Sequence, residues 1–160
     1  MLLGFKKTGF GKGNVVGIGG GVDEGETPIE AAIREVEEEV FVTPSNLKLG
    51  GVIDFYFPYV DKPSCWNQRV FVYVSHNWVG RVVESEEIAP EWHSMSDIPF
   101  DRMWDDSSYW LEQILNGKEI WCQFTFNQEL KVENWIQQEL NSNTELTNKG
   151  IGRERAAPML

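Results

Sequence analysis

Four glutamates within five residues are the part of this sequence best suited to chemistry. Glu35, Glu37, Glu38 and Glu39 lie in a stretch with helical spacing. Residues three and four apart are neighbours on a helix, so positions 35, 38 and 39 share one face. Like charges so placed repel by about a few tenths of a kcal/mol per pair. The cluster is therefore either a solvated acidic surface, as most Glu-rich helices are, or a place that holds a cation. Glu37 lies off this face, and we expect it to be solvated.

A helix that starts near Thr27 must carry these glutamates. Thr27 and Glu30 form a capping box, and Pro28 occupies the favoured first helical position. Apolar residues recur at helical spacing and predict one buried stripe: Ile29, Ala32, Ile33, Val36 and Val40. The Gly-rich loop before the helix, from Gly9 to Gly21, can bring backbone carbonyls close to a metal. Hard cations such as Mg²⁺ prefer oxygen ligands and readily bridge to phosphates, so the loop and helix together suit a metal site.

The composition limits the class of protein. The chain has 160 residues and a formal net charge of −11. This fits one domain and argues against binding a nucleic-acid polymer, because that requires a basic surface. Cys65 and Cys122 have neither CxxC spacing nor a nearby histidine pair, so we expect reduced thiols and no zinc site. The opening apolar run is too short for a signal peptide, and no stretch could span a membrane. We therefore expect a cytoplasmic protein without a membrane partner.

The rest of the pattern predicts strands mixed with helices. The expected strands are Met1–Lys6, Leu47–Tyr59, Gln68–Val79, Ile120–Phe126 and Glu129–Val132, and the expected later helices are about Ser107–Leu115 and Glu133–Leu140. Helices on a sheet indicate an α/β or α+β fold, most readily a sandwich. From Asn141 onward the chain is polar, so we expect residues 1–140 to form the domain and residues 141–160 to form a loose tail.

The spacing of Gly20, Glu26 and the run Arg34–Glu39 resembles the Nudix box, G-x5-E-x7-R-E-U-x-E-E-x-G-U, in which U is aliphatic. The pattern is long and nearly complete, so it is far more specific than a lone glycine triplet. A chance match would require the glycine, the glutamate and the arginine to fall into register with the acidic cluster by accident.

The resemblance implies roles for the residues of the box. It implies a site for Mg²⁺, with Mn²⁺ as a substitute, whose ligands are the Gly19 carbonyl and the side chains of Glu35, Glu38 and Glu39. It also implies that Arg34 braces Glu26 and orients the catalytic face. From spacing alone, Arg34 could instead pair on the helix surface with Glu30, four residues earlier.

Two further segments, LLGFKKTGFGKG and SDIPFDRMWDDSSYW, are similar to the MutT-homologue branch of the Nudix enzymes. Members of that branch remove oxidised purine nucleotides, of which 8-oxo-dGTP is the best known. They cleave the triphosphate to a monophosphate and pyrophosphate with Mg²⁺. The similarity covers about Met1 to Leu140 and implies an α/β/α sandwich with a mixed sheet. We expect the protein to be a monomer.

The same resemblance implies which residues bind the nucleotide. Trp104 offers a flat apolar face for a base, worth about 1–3 kcal/mol. Asp106, with Asp105 beside it, offers a carboxylate for the edge of the base. The other implied contacts are Phe10 and Phe55 in the pocket, Lys6 at the phosphates or ribose, and Glu87 near the metals. Plainer roles stay open, because Trp104 could be a core aromatic and Asp105, Asp106 or Ser107 could simply cap the second helix.

Four positions depart from the branch pattern. Val15 and Val16 stand where Trp-Asn is usual, so recognition of the purine edge must weaken or change. Ser107 aligns with the second Asp of the family's pair. Phe41 replaces the glycine that ends the helix, and a side chain resists the left-handed conformation often used there. The chain begins at what resembles the family's second strand, so we expect either a truncated start or a sheet that lacks one strand and exposes an edge.

These patterns together predict a Mg²⁺-dependent Nudix hydrolase that acts on a nucleoside triphosphate with an oxidised or otherwise modified purine. One alternative is a Nudix diphosphatase for another nucleotide, such as an unmodified dNTP or a dinucleotide. Another is a Nudix domain that binds nucleotides without turnover. The complete set of Glu35, Glu38 and Glu39 argues against lost turnover, because a pure binder has less need of every metal carboxylate.

Overall fold

A mixed six-stranded sheet forms the centre of the protein, and the computed structural model describes all residues, 1–160. The strands are β1 (Leu2–Lys6), β2 (Val15–Val16), β3 (Gly20–Gly21), β4 (Val42–Ser45), β5 (Lys48–Tyr56), β6 (Gln68–Val74), β7 (Asn77–Gly80), β8 (Ile88–Trp92), β9 (Ile120–Phe126), β10 (Val132–Glu139) and β11 (Arg153–Met159). The helices are α1 (Pro28–Val40), α2 (Pro63–Trp66) and α3 (Ser107–Leu115), with a 3₁₀ turn at Phe100–Arg102. None of these helices has the length and apolar character that crossing a membrane requires.

The order of strands in the central sheet is β10-β9-β5-β6-β11-β3. Strand β5 runs parallel to β9 and β6 runs parallel to β11, whereas the other neighbours are antiparallel. A three-stranded sheet, β2-β1-β8, and the pair β4-β7 complete the strands. Successive residues of a strand point to opposite faces. Tyr73 accordingly packs with Ala31 and Ala32 of α1, while Val72 packs with Leu111 of α3. The expected α/β/α sandwich with a mixed sheet is confirmed.

Helix α1 begins as the sequence predicts, but its end is strained. The Glu30 amide donates to Thr27 Oγ1 at 3.4 Å, and the Thr27 amide donates to the Glu30 carboxylate at 2.8 Å, which completes the capping box. The helix ends at Val40, and Phe41 adopts the left-handed conformation with φ 62°. This conformation costs a residue with a Cβ about 1–2 kcal/mol. Phe41 therefore ends the helix as glycine would, but with strain.

The last residues of the chain form a strand inside the central sheet, so the expectation of a loose tail over residues 141–160 is wrong for this part. Strand β11 lies between β6 and β3, and Ala156, Met159 and Leu160 are buried. The main-chain amide of Leu2 donates to the Leu160 carbonyl at 2.7 Å, which joins β11 to β1. The edge expected from a missing strand is therefore covered by β11. The pattern misled because Pro158 is unusual within a sheet and small residues dilute the apolar signal.

The segment between β10 and β11 is held against the sheet by polar contacts. Arg69 forms a buried ion pair with Asp54 at 2.7 Å and 2.8 Å. The same guanidinium donates to the Asn148 side chain at 2.6 Å and to the Thr147 carbonyl at 2.9 Å. The Asn67 side chain donates to the Gly150 carbonyl at 2.9 Å. These contacts leave the buried charges of β5 and β6 paired and hydrogen-bonded, as buried charges must be.

The expected final helix over Glu133–Leu140 is also wrong, because these residues lie largely in β10, at one edge of the central sheet. β10 pairs antiparallel with β9 over its length. Trp135 stacks on Phe124 with ring centroids 6.1 Å apart and 12° between the rings. Most of the strand is solvent-exposed, and a short, mostly polar run with few apolar residues does not distinguish helix from strand.

Candidate active site

The acidic face of α1 borders a groove that a second acidic segment closes. Glu35, Glu38 and Glu39 line it from the helix, and the segment before β8 supplies the other carboxylates, Glu84, Glu86 and Glu87. The structure thus brings Glu87 to the same groove as the helix residues. Glu37 hydrogen-bonds Thr43 on the exposed surface at 2.6 Å and does not line the groove. The groove concentrates oxygen ligands of the kind that hard cations prefer.

Arg34 connects the Nudix-box residues to one another. Its Nε and Nη2 donate to the two oxygens of Glu26, each at 2.9 Å, and Nη2 also donates to the Gly21 carbonyl at 2.9 Å. Its Nη1 donates to Glu35 at 2.9 Å and to Glu38 at 3.2 Å. The pairing is therefore with Glu26 and not with Glu30. The Arg34 hydrogen bond holds the pKa of Glu26 below its ordinary value, so this carboxylate is ionised at neutral pH.

Lys6 and the Gly-rich loop fix the buried member of the acidic face. Lys6 Nζ donates to Glu39 at 2.9 Å and to Glu87 at 3.2 Å. The Gly19 amide donates to the other Glu39 oxygen at 3.0 Å. Burial alone would lower the pKa of Lys6, but the two carboxylates outweigh it and raise that pKa. Burial raises the pKa of Glu35, although Arg34 partly offsets the effect. The carboxylates of α1 are thus each paired with a cationic side chain, Glu35 and Glu38 with Arg34 and Glu39 with Lys6.

The donor set fits a hard divalent cation, although the carboxylates are paired with cations in this arrangement. No three acidic or histidine side chains converge closely enough to enclose a metal ion. The loop nevertheless approaches the helix so closely that a Cβ on Gly20 would overlap the Glu35 carboxylate. Backbone and carboxylate oxygens therefore adjoin one another here, which is the ligand chemistry of Mg²⁺ sites. The Gly19 carbonyl, expected to be a metal ligand, accepts a hydrogen bond from Arg155 Nη2 at 3.1 Å.

A largely apolar cavity adjoins the acidic groove. Of the residues expected to contact substrate, it is lined by Lys6, Phe10, Phe55, Trp104 and Asp106. The cavity and the groove meet at Lys6 and Gly19, because both residues line the cavity and both hydrogen-bond the Glu39 side chain. An apolar cavity with a few polar groups is typical of small-molecule sites.

Aromatic rings form one end of this cavity. Phe10 stacks on Trp104 with centroids 5.4 Å apart and 13° between the rings, and Phe57 meets Trp104 edge-on at 6.3 Å. Trp104 therefore borders the cavity as part of an aromatic cluster. Phe10 lies in the Gly-rich loop, where Gly9 and Gly11 have positive φ. Because the rings of Phe10 and Trp104 are in contact, a base that uses this face of Trp104 must displace Phe10.

Asp106 is the charged group that lies deepest in the cavity wall. It is 3% exposed, and Trp110 Nε1 donates to its Oδ2 at 2.7 Å. Burial raises the pKa of Asp106 to about 6. Asp106 is the N-cap residue of α3, but its side chain forms no capping hydrogen bond. Because the carboxyl does not cap the helix and lines the cavity, it can accept a hydrogen bond from a ligand there or, when protonated, donate one.

Asp105 does not line the cavity. It accepts hydrogen bonds from the Val132 amide at 2.9 Å and from Lys131 Nζ at 3.0 Å, so it anchors the turn between β9 and β10. Burial alone would raise the pKa of Asp105, but these two donors outweigh it and hold that pKa below its ordinary value. Neighbouring aspartates therefore face different partners, and a base contact by Asp105 has no support from the geometry.

The sequence patterns missed several cavity residues. They include Phe57, Gln68, Trp110, Phe126, Arg155, Ala157 and Met159. The Asp106–Trp110 pair has the four-residue spacing of helix neighbours, so that contact could have been inferred from the sequence. The residues of β11 gave no such signal, because only the assembled sheet brings them to the cavity.

Comparison with known proteins agrees with this geometry. Residues 5–114 match the NUDIX domain. The oxidized purine nucleoside triphosphate hydrolase of Mus musculus is 36% identical over 142 residues, which cover 89% of this chain and 88% of the mouse protein. The enzyme of the same name from Danio rerio is 37% identical over 126 residues, covering 79% and 78%. The chain therefore belongs to the Nudix family, whose members generally require divalent cations.

A solved structure supports the fold independently. A MutT protein from Bacillus halodurans superposes with a TM-score of 0.70 at 19% identity, covering 86% of this chain and 88% of that protein. At this level of identity the similarity concerns the fold alone.

Proposed function

We propose that this protein hydrolyses an oxidised or otherwise modified purine nucleoside triphosphate to the monophosphate and pyrophosphate, with Mg²⁺ or Mn²⁺ as the cation. One observation carries the proposal: an aromatic cavity with a buried carboxyl joins, at Lys6 and Gly19, a groove lined by the glutamates of α1. One ligand can therefore place a base in the cavity and its phosphates in the groove. The names of the mouse and zebrafish relatives support the choice of an oxidised purine.

The groove residues would hold and orient the phosphates. Glu35, Glu38 and Glu39, with the Gly19 carbonyl and Glu87, are the proposed ligands of the cation. When bound, the cation would neutralise the carboxylates, shield the phosphate oxygens and activate a water molecule for attack at phosphorus. Arg34 fixes Glu26 and the first turns of the acidic face by its five hydrogen bonds. Lys6 holds Glu39 in place and can face the phosphates.

The cavity residues would select the base. Trp104 provides the stacking surface once Phe10 moves off it, Phe55 lines the cavity, and the Asp106 carboxyl can bond the edge of a purine. Val16 lines the cavity where an asparagine would add a further hydrogen bond. A site that reads polarity through a buried hydrogen bond rejects the wrong analogue far better than an apolar wall does. The proposal therefore includes a preference for 8-oxo-dGTP over dGTP that is weaker than in relatives that have the asparagine.

We also propose a monomer that acts in the cytoplasm. Both cysteines are free thiols, Cys65 exposed and Cys122 buried, which suits a reducing compartment.

The test measures pyrophosphate release from 8-oxo-dGTP and dGTP, with Mg²⁺ and with a chelator. Glu38→Gln and Glu39→Gln should each lower kcat by orders of magnitude, since a neutral amide ligates a hard cation poorly. Glu37→Gln is the matched control and should change kcat little, because Glu37 lies outside the groove. Thermal unfolding of each variant separates loss of catalysis from loss of the fold.

Three outcomes would contradict the proposal. Equal loss in all three variants would contradict the assignment of Glu38 and Glu39, but not Glu37, to the reacting face of the helix. Release of phosphate in place of pyrophosphate would show that a different phosphoanhydride bond is cleaved, and turnover of dinucleotides alone would assign the chain to another nucleotide. Nucleotide binding without any turnover would make it a binding protein.

A further inference from the structure

Strand β11 brings a cation into the cavity that the sequence patterns did not indicate. Arg155 lines the cavity, and the one hydrogen bond of its side chain runs from Nη2 to the Gly19 carbonyl at 3.1 Å. No carboxylate lies within 4.0 Å of its guanidinium. Arg34, Arg69 and Arg102, in contrast, each pair with a carboxylate. Arg155 is therefore a half-buried positive charge without an ionic partner.

Two nitrogens of the Arg155 guanidinium, Nε and Nη1, make no hydrogen bond within the protein. A guanidinium has five N–H groups, and no enclosed side-chain nitrogen or oxygen in the protein lacks a hydrogen-bond partner. Nε and Nη1 of Arg155, which make no hydrogen bond, therefore keep access to solvent, and the residue itself lines the cavity. A planar fork of this kind matches the oxygens of a phosphate, which it can bind in a bidentate manner.

Its place along the cavity identifies the phosphate it would meet. Trp104 and Asp106 define the base end, whereas Arg155 contacts Gly19, whose amide holds Glu39 of the acidic groove. The charges of Glu35 and Glu39 act on Arg155 but do not pair with it directly. A nucleotide whose base lies at Trp104 must pass this junction with the phosphate that is attached to its sugar.

We infer that Arg155 binds the phosphate next to the nucleoside, and so holds the substrate where the base cavity meets the acidic groove. This inference rests on the proposed function. Arg155 is then a substrate-binding residue supplied by the last strand of the chain.

The test measures binding and does not depend on turnover. Titration calorimetry with a chelator present compares two probes, 8-oxo-dGMP and the nucleoside 8-oxo-deoxyguanosine, on the wild type and on Arg155→Gln. The variant should weaken binding of the monophosphate about 10- to 100-fold, the size of a lost charge-assisted hydrogen bond. Binding of the nucleoside should change less than about threefold, because it lacks the phosphate.

Two variants serve as controls. Arg153→Gln removes a positive charge two residues earlier on β11, where the side chain is exposed. It should weaken binding of the monophosphate less than about threefold. Arg155→Lys keeps a charge but not the fork, so it should retain part of the affinity for the monophosphate. Thermal unfolding shows whether each variant keeps the sheet, and Arg155→Lys decides the question should Arg155→Gln fail to fold.

Each contrary result has a distinct meaning. An unchanged ratio of monophosphate to nucleoside affinity in the Arg155 variants would overturn the inference and leave the proposed function intact. Equal weakening of both probes would make Arg155 a structural residue or a base contact. An equal effect of Arg153→Gln would point to long-range charge alone. A wild type that binds neither probe would overturn the inference, whereas the proposed function is decided separately by pyrophosphate release with Mg²⁺.

Discussion

Replacing Asp106 by asparagine tests whether the cavity holds a carboxyl at the expense of stability. The amide keeps the shape of the side chain and can still accept the hydrogen bond from Trp110, which Asp106 accepts at 2.7 Å. The substitution removes the charge and replaces one acceptor oxygen with an NH₂ donor. Because the group is 3% exposed, solvent offers the carboxylate little compensation. We therefore expect Asp106→Asn to make the protein more stable at neutral pH.

The size of the effect follows from the pKa. Burial raises the pKa of Asp106 from 3.8 to about 6, and this rise corresponds to about 3 kcal/mol as an upper limit. The raised pKa means that the folded protein binds this proton more tightly than the unfolded chain. The wild type therefore loses stability from this group as the pH rises from about 4 through 6. The advantage of Asp106→Asn should be near zero at pH 4 and reach about 1–3 kcal/mol at pH 7.5.

Urea unfolding at pH 4.5, 6.0 and 7.5 measures this difference. Asp105→Asn is the matched control, because its pKa is held below the ordinary value by Lys131 and the Val132 amide. That substitution should destabilise the protein at pH 7.5, by no more than about 1 kcal/mol for a partly exposed pair. Neighbouring aspartates should therefore give effects of opposite sign.

Function should change in the opposite direction from stability. Asp106→Asn should reduce the ratio of kcat/KM for 8-oxo-dGTP to that for dGTP, since an amide does not reproduce the hydrogen bonds of a carboxyl. A stability difference that does not change with pH, or a loss of stability at pH 7.5, would refute the reasoning about the buried charge. An unchanged kcat/KM ratio would show that another group reads the base.

Three further predictions concern β11, the loop and the helix end. Met159→Ala should cost about 2–3 kcal/mol, because Met159 is 3% exposed, whereas Met95→Ala, at a residue 44% exposed, should change stability by less than about 0.5 kcal/mol. Equal urea midpoints would show that β11 does not dock. Gly20→Ala should lower kcat strongly, because its Cβ would displace the Glu35 carboxylate. Gly21→Ala should not, because the space at its Cβ is open. Phe41→Gly should raise the free energy of unfolding by about 0.5–1 kcal/mol because it relieves the left-handed strain, and a lower thermal midpoint would contradict this.

Features that depend on neighbouring residues were accessible from the sequence. The capping box at Thr27 and helix α3 at Ser107–Leu115 occur where the patterns place them. The shared face of the helix glutamates is likewise a consequence of helical spacing, and the structure places them in one groove. In each case the deciding contacts lie within four residues along the chain, so local chemistry is sufficient.

Features that depend on distant pairing were not accessible. β10 has few apolar residues, and its identity as a strand follows from β9 beside it. β11 pairs with β6, which lies more than 80 residues earlier, and with Gly20–Gly21, which lies still further away. Its residues Ala156 and Pro158 are poor strand formers by themselves. Tertiary context therefore overrides local preference in both strands.

The strand that completes the sheet also completes the site. Ala156 packs on α1, the helix of the acidic face, while its neighbours Arg155 and Ala157 line the cavity. Each face of β11 thus contacts one half of the proposed site. Because β11 must find β3 and β6 across most of the chain, its docking depends on contacts of long sequence separation, which are slow to form. The base cavity and the acidic groove therefore cannot reach their final arrangement before the last strand docks, and activity should appear no earlier than the pairing of β11.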